Sequence, residues 1–283
     1  MISGSTRLLG VIGDPVGHTS SPAMHNAAIA ALGLDYVYAA FHVRPELLGR
    51  AMDGMRALNI AGLNVTVPHK QGVMEYMDEV SEEAVAIGAV NTVAYRDGRL
   101  VGHNTDAFGI VESLKRDGGM EHLPAKVVLL GAGGAARAIL YALLQSARVE
   151  EILLLNRTVT KAESLARDLD SAGRVKVGPM DAPGVADAGL LINSTSVGMH
   201  PHDGVSPLAD ASVLHADMLV ADIVYKPLKT RLMEQAESAG ARTINGLGML
   251  AWQGARSFEI WTGITPPVDV MMAAALERVK DGN

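Results

Sequence analysis

The chain contains no cysteine, which excludes disulfides, thiolate zinc sites and cysteine nucleophiles. Aromatic residues make up only 4% of it, so Ala, Leu, Val and Met must carry the core. No window approaches the roughly 20 consecutive apolar residues of a membrane-spanning helix. The apolar stretch 8–12 is too short for a signal-peptide core and is stopped by Gly13-Asp14-Pro15. Dense cationic runs are missing too: 24 basic residues stand against 31 acidic ones, for a net charge of −7. That balance argues against nucleic acid or an anionic membrane as partner. The expectation is a cytoplasmic protein, monomeric or homodimeric, whose partner is a small molecule.

What is present is 283 residues at 48% apolar content, enough for two domains with cores of their own. Short apolar runs at 8–12, 36–42 and 61–67 read as strands, with helical stretches between them. Ser21-Pro22 offers an N-cap and a first-turn proline for a helix ending at Gly33. Two helical stretches fill 71–87, and Asp97-Gly98 joins the apolar runs 90–95 and 100–101 as a hairpin. Strand and helix alternate again from 126 to 244, while the helices 247–262 and 266–279 have no strand after them. The fold class is therefore α/β, with a mainly parallel N-terminal substrate domain and a Rossmann-type nucleotide domain, and a cleft between them. Residues 1–105, completed by 247–283, are expected to form the first domain, and 106–246 the second.

Directly after the strand 126–130 comes Gly131-Ala132-Gly133-Gly134-Ala135-Ala136, which matches G-x-G-x-x-G/A. Gly131 suits the tight turn, Gly133 lets backbone amides approach a pyrophosphate, and Ala136 lets the helix pack close to the strand. The helix N-terminus adds unpaired N–H groups and a positive dipole end. At the close of the next strand an NAD site usually carries an acidic residue. Here the strand closes with Asn156-Arg157-Thr158, and Lys161 follows one turn later. A guanidinium fork suits a phosphate, so the expected cofactor is NADP(H).

A second constellation pairs Asn64-Val-Thr-Val-Pro-His-Lys70 with Asn104-Thr-Asp106. Pro68 ends the strand and leaves Lys70 at the lip of a sheet, while Asp106 is placed to begin a helix. An amine held by a carboxylate can donate or accept a proton. Around this pair stand Thr19, Ser20 and Ser21, then Thr66, Asn91 with Thr92, and Gln253 on a helix opening Gly246-Leu-Gly-Met249. Hydroxyls, carboxamides and a Lys–Asp pair suit a small polyhydroxylated carboxylate. Ser21 is read as a helix cap in addition.

These motifs, in this order, resemble the shikimate dehydrogenase family over about residues 8–267. Asn64–Lys70 is similar to its N-V-T-x-P-x-K signature, Gly88-Ala-Val-Asn91-Thr92 to its G-A-V-N-T and Asn104–Asp106 to its N-T-D. The resemblance implies reversible NADPH-dependent reduction of 3-dehydroshikimate to shikimate, with Lys70 and Asp106 as the catalytic pair. It implies that Ser21, Thr66, Asn91, Tyr225 and Gln253 hold the substrate, together with Thr19, which replaces the family's usual serine. Gly246 and Met249 would lie beside the nicotinamide, with Ile223 near the cofactor and Glu82 in contact with it. His69 and His103 stand where many members carry Phe and Asp, and both are read as solvated.

Three other readings compete. A quinate/shikimate dehydrogenase of broader specificity often uses NAD and carries an acidic residue where Asn156 stands. A non-catalytic sensor of a dinucleotide and a small acid has no need of the Lys70–Asp106 pair. A metal enzyme built on His200 and His202 lacks a third ligand at metal-site spacing, so no metal is expected.

Overall fold

The structure, a computed structural model, describes residues 2–281. Met1, Gly282 and Asn283, at the ends of the expected first domain, lie outside the described residues. Two compact units emerge: Met1–Gly109 with Leu250–Asn283, and Ile110–Met249.

In the first unit the chain runs β1 (Arg7–Gly13), α1 (Ser21–Ala31), β2 (Tyr36–His42), α2 (Leu48–Ala57) and β3 (Gly62–Val65). It continues with β4 (Glu79–Val80), α3 (Glu82–Ile87), β5 (Thr92–Arg96) and β6 (Arg99–His103); α4 (Asp106–Arg116) begins in the first unit and ends in the second. The sheet order is β2-β1-β3-β5-β6-β4. β1 pairs in parallel with β2 and β3, and β4 with β6, whereas β5 is antiparallel to both its neighbours. The Asp97-Gly98 turn has both residues at positive φ, 51° and 79°, which suits a two-residue hairpin turn.

The stretch 71–87 differs from the expected two helices. Gly72–Tyr76 is a 3-10 turn, followed by the edge strand β4 before α3 begins. A strand of two residues has no room for an alternating pattern, so sequence periodicity gives no sign of it.

The second unit follows with β7 (Lys126–Leu130), α5 (Gly134–Leu144), β8 (Glu151–Leu155), α6 (Val159–Leu169), β9 (Val175–Gly178) and β10 (Leu190–Asn193). It closes with β11 (Leu219–Asp222), α7 (Arg231–Ser238) and β12 (Arg242–Ile244). Its sheet is parallel throughout, in the order β12-β11-β10-β7-β8-β9. This is the doubly wound order in which the winding reverses between the first and fourth strands, here β7 and β10. The strands are apolar on both faces because helices cover both: Val127, Leu129 and Ile192 lie in one core cluster, Val128, Leu130 and Leu191 in the other.

α8 (Leu247–Thr262) and α9 (Val268–Lys280) end the chain. Within the first unit, α8 lays Trp261 flat on β3. A Cβ at Gly62 would collide with the Trp261 indole, whose Nε1 donates to the Val93 carbonyl at 3.0 Å.

Candidate active site

Lys70 is held by its backbone before its side chain does anything. The His69 amide donates to the Thr66 carbonyl at 2.9 Å, and the Val90 amide donates to the Lys70 carbonyl at 2.8 Å. His69 is not solvated as expected: its ring is 2% exposed, and Nε2 donates to the Val43 carbonyl at 2.7 Å. An imidazole that fills core space and meets a main-chain acceptor does the packing work of an aromatic ring. His103 is half-buried, and burial, then the Arg96 and Arg256 cations, hold its pKa down.

Asp106 is the first residue of α4. Its amide donates to Asn104 Oδ1 at 3.0 Å, and Asn104 Nδ2 is anchored on the Ala89 carbonyl at 2.9 Å. A carboxylate in a helix's first turn is favoured by the helix dipole. Lys70 Nζ donates to Asp106 Oδ2 at 2.5 Å, with the two side chains 14% and 6% exposed. Asn91 Nδ2 donates to the other carboxylate oxygen at 2.8 Å. Desolvating an ion pair costs several kcal/mol per ion in general, about as much as the attraction returns. Such a pair is therefore better explained by chemistry than by stability.

Gln253 joins this group from α8. Its Oε1 lies 3.4 Å from Asn91 Nδ2 and 3.5 Å from Thr105 Oγ1, while Nε2 donates to the Leu250 carbonyl at 2.8 Å. Thr66 follows β3, and its methyl occupies the space a Cβ on Gly13 would fill. Thr19 and Ser21 form a hydroxyl pair of their own, Thr19 Oγ1 donating to Ser21 Oγ at 3.0 Å. Ser21 does not cap α1. Ser20 is the N-cap, without a side-chain bond, and Ser21 is already inside the first turn, so its hydroxyl faces Thr19 instead of an N–H group. Tyr225 stands in the second unit, after β11, and Glu82 is exposed in the first turn of α3.

In the second unit the residues expected at the cofactor follow the ends of β7, β8, β11 and β12. Gly131 has φ of 104°, and a Cβ there would lie 2.7 Å from Ser194 Oγ in the turn after β10. Only glycine allows both that conformation and that approach. At Gly133 the situation is opposite: nothing of the protein lies within 4 Å of an added Cβ. Gly133 is the N-cap of α5, with no side-chain cap and no acid in the first turn, so Gly134 and Ala135 carry backbone N–H groups that no cap takes. Ala132 packs against the core beside Ala136. Open space beside an uncapped helix start fits a pyrophosphate. At the end of β8, Asn156 Nδ2 bonds to the Thr158 carbonyl at 2.8 Å and leaves Arg157, Thr158 and Lys161 exposed. Two cations and no carboxylate fit a ribose phosphate. Ile223 and Gly246 are neighbours, a Cβ at Gly246 colliding with the Ile223 carbonyl, and Met249 packs in the core against which Ile223 lies.

Sequence reasoning missed Asp222, which closes β11. It accepts from Asn193 Nδ2 at 2.9 Å and Thr230 Oγ1 at 2.7 Å, tying down the turn that carries Ile223 and Tyr225. Burial raises its pKa, and those bonds oppose the rise. An aspartate at a strand's end before a Pro-containing loop was the available signal. His200 lies 3.9 Å from Asp203, and among the described residues no group of three or more His, Cys, Asp or Glu could hold a metal ion. No described helix is long and apolar enough to cross a membrane.

Three family models match the chain. The shikimate dehydrogenase substrate binding domain matches residues 11–93, shikimate / quinate 5-dehydrogenase residues 115–201, and the shikimate 5'-dehydrogenase C-terminal domain residues 246–276. The shikimate dehydrogenase (NADP(+)) of Methanopyrus kandleri is 46% identical, over 99% of this chain and 98% of its own. A shikimate dehydrogenase crystal structure in complex with NADP+ is 44% identical, with a TM-score of 0.92 over 99% of this chain and 98% of that one. Another, from Thermus thermophilus in complex with NADP(H) and shikimate, is 39% identical, with a TM-score of 0.87 over 96% and 99%. With relatives this similar over nearly its whole length, the chain belongs to the shikimate dehydrogenase family.

Proposed function

We propose that this chain interconverts shikimate and 3-dehydroshikimate with NADP(H), a step of aromatic amino acid biosynthesis. The observation that carries the reading is the Lys70–Asp106 ion pair at 2.5 Å, beside the Asn91 and Gln253 carboxamides and the Thr105 hydroxyl. When bound, NADP(H) would supply the hydride chemistry at the alcohol carbon. Lys70 handles the proton: as a neutral amine it takes the hydroxyl proton during oxidation, and as ammonium it gives one to the forming alkoxide during reduction. Asp106 holds the amine in place, and Asn91 holds the carboxylate. Thr66, Asn91, Gln253 and Tyr225 orient the ring hydroxyls, and Thr19 with Ser21 takes the carboxylate. In the second unit the turn Gly131–Ala135 receives the pyrophosphate, while Asn156, Arg157, Thr158 and Lys161 bind the ribose phosphate. Ile223, Gly246 and Met249 line the nicotinamide position, and Glu82 is assigned a cofactor contact as well.

One match is to a model described as shikimate / quinate 5-dehydrogenase, so quinate is the second substrate to test. Oxidation of shikimate and of quinate, each with NADP+ and with NAD+, separates the readings. Shikimate with NADP+ is expected to give the highest kcat/KM. Equal rates for quinate with NAD+ would replace the reading with the broader one, and binding without turnover would replace it with a sensor.

A further inference from the structure

Behind the ion pair a run of buried side chains passes hydrogen bonds toward Asp106, with the Thr105 hydroxyl as a branch that accepts from Asn91 Nδ2 at 2.9 Å and lies 3.1 Å from Ser257 Oγ. The Thr105 backbone N–H has one partner there, Asn91 Oδ1, at 2.8 Å. That bond fixes the Asn91 amide with its oxygen toward Thr105 and its NH2 toward Asp106. Thr92 Oγ1 donates to the same Asn91 oxygen at 2.9 Å. A 2.7 Å contact needs a proton between its two oxygens; with that of Thr92 committed to Asn91, Ser257 turns its own to Thr92 in preference to the more distant Gln253 carbonyl at 3.0 Å. Ser257 Oγ in turn accepts from Asn64 Nδ2 at 3.0 Å; the Asn91 carbonyl, 3.3 Å from the same Nδ2, sets the Asn64 amide and leaves its oxygen to accept from the Tyr38 hydroxyl at 2.7 Å. Every one of these side chains is buried. The donors therefore run from Tyr38 through Asn64, Ser257, Thr92 and Asn91 to the carboxylate of Asp106. Bonds aligned head to tail in a low-dielectric interior polarise one another.

We propose that Ser257, on α8, is a positioning residue for the Lys70–Asp106 pair, acting through Thr92 on Asn91. The inference rests on reading that pair as the proton-transferring group. Ser257 touches neither of its members. It supplies the proton that completes the Thr92 oxygen, and so frees the Thr92 proton for Asn91. Removing the Ser257 hydroxyl lets Thr92 turn its proton elsewhere. Asn91 then loses one of the donors that hold its amide aimed at Asp106.

The test uses Ser257→Ala, Thr92→Val, Thr92→Ser and the double variant Ser257→Ala/Thr92→Val in the full-length protein. Valine keeps the shape of threonine and lacks the hydroxyl, whereas serine keeps the hydroxyl and leaves a methyl-sized gap. Ser257→Ala and Thr92→Val are expected to lower kcat for shikimate oxidation about 3- to 10-fold, the scale of one buried hydrogen bond, with KM for shikimate within about twofold. Thr92→Ser is expected to keep kcat, although it loses packing. The double variant is expected to match the worse single one, since both break the same link. Equal losses in Thr92→Ser and Thr92→Val, additive losses in the double variant, or unchanged kcat in both hydroxyl deletions would overturn the proposal. A crystal structure of Ser257→Ala gives a readout independent of turnover: the Asn91 Nδ2 to Asp106 Oδ1 bond is expected to lengthen or break. If that bond persists unchanged, Ser257 does not position the pair. Failure of the wild-type protein to oxidise shikimate would instead sink the functional reading.

Discussion

The two units carry their candidate chemistry in different materials. In the first unit the work falls to side chains, buried and held by other side chains: Lys70, Asp106 and Asn91 are locked by bonds between 2.5 and 2.9 Å. In the second unit it falls to backbone, at a glycine turn and a helix start, with exposed cations for selectivity. A buried side-chain site is intolerant of any change in donor or acceptor, because an orphaned polar group there costs about 1–3 kcal/mol. A backbone site tolerates most substitutions except those that fill the space it leaves open.

The comparison can be broken most sharply at Lys70. Lys70→Ala is expected to lose about 10²–10⁴ in kcat, the usual scale of general acid–base catalysis, with little change in KM for shikimate. Near-normal turnover would take the amine out of the mechanism. Next comes Arg157→Ala, expected to raise KM for NADP+ about 10-fold or more, as for a lost bond to a charged group, and to leave KM for NAD+ unchanged. Equal effects on the two cofactors would remove the phosphate assignment. Gly133→Val sharpens the backbone half. A Cβ added there meets nothing within 4 Å beyond its chain neighbours, so the melting temperature is expected to hold. KM for NADP+ should nevertheless rise about 10-fold through lost pyrophosphate approach. A fall in stability without a cofactor effect would mean the space belongs to the fold.

The smallest effect on turnover, and a distinct one on stability, is expected at His25. This ring is fully buried on α1, stacked on Tyr38 at 4.3 Å, and neither nitrogen makes a well-formed hydrogen bond. Burial pushes its pKa down to about 3 from 6.5, opposed by the nearby Asn64 side chain. The folded-state value is the lower one, so between pH 6.5 and about 3 the unfolded chain binds more protons. Stability therefore falls as pH drops below 6.5, by at most about 1.4 kcal/mol per pH unit from this group. His25→Phe keeps the stack and removes the titration, so its urea midpoint should fall less steeply with acid than that of wild type. Parallel slopes would assign the acid sensitivity to other groups.

Much of this was legible in the sequence because its signals are local. The strand before Gly131, the glycine spacing and the cations at 157 and 161 all lie within one strand–helix–strand stretch. The hairpin at Asp97-Gly98 and the helix start at Asp106 are equally local. The expected cap at Ser21 was misplaced by one residue, since Thr-Ser-Ser-Pro offers several equivalent oxygens and only the backbone torsions choose among them. The solvated reading of His69 failed because a histidine beside a lysine gives no hint of a carbonyl 26 residues away.

By itself the sequence determined where the chain alternates strand and helix, which turn is the candidate for a dinucleotide, and which lysine and aspartate are candidates for proton transfer. These follow from periodicity, glycine stereochemistry and charge type, each readable within a few neighbouring residues. Tertiary structure alone decided that Lys70 meets Asp106, that His69 is core, and that Ser257 reaches Asn64 across 193 positions of chain. A hydrogen bond forms over about 3 Å, and no pattern along the backbone states which distant residues will come that close until the sheets and helices have packed.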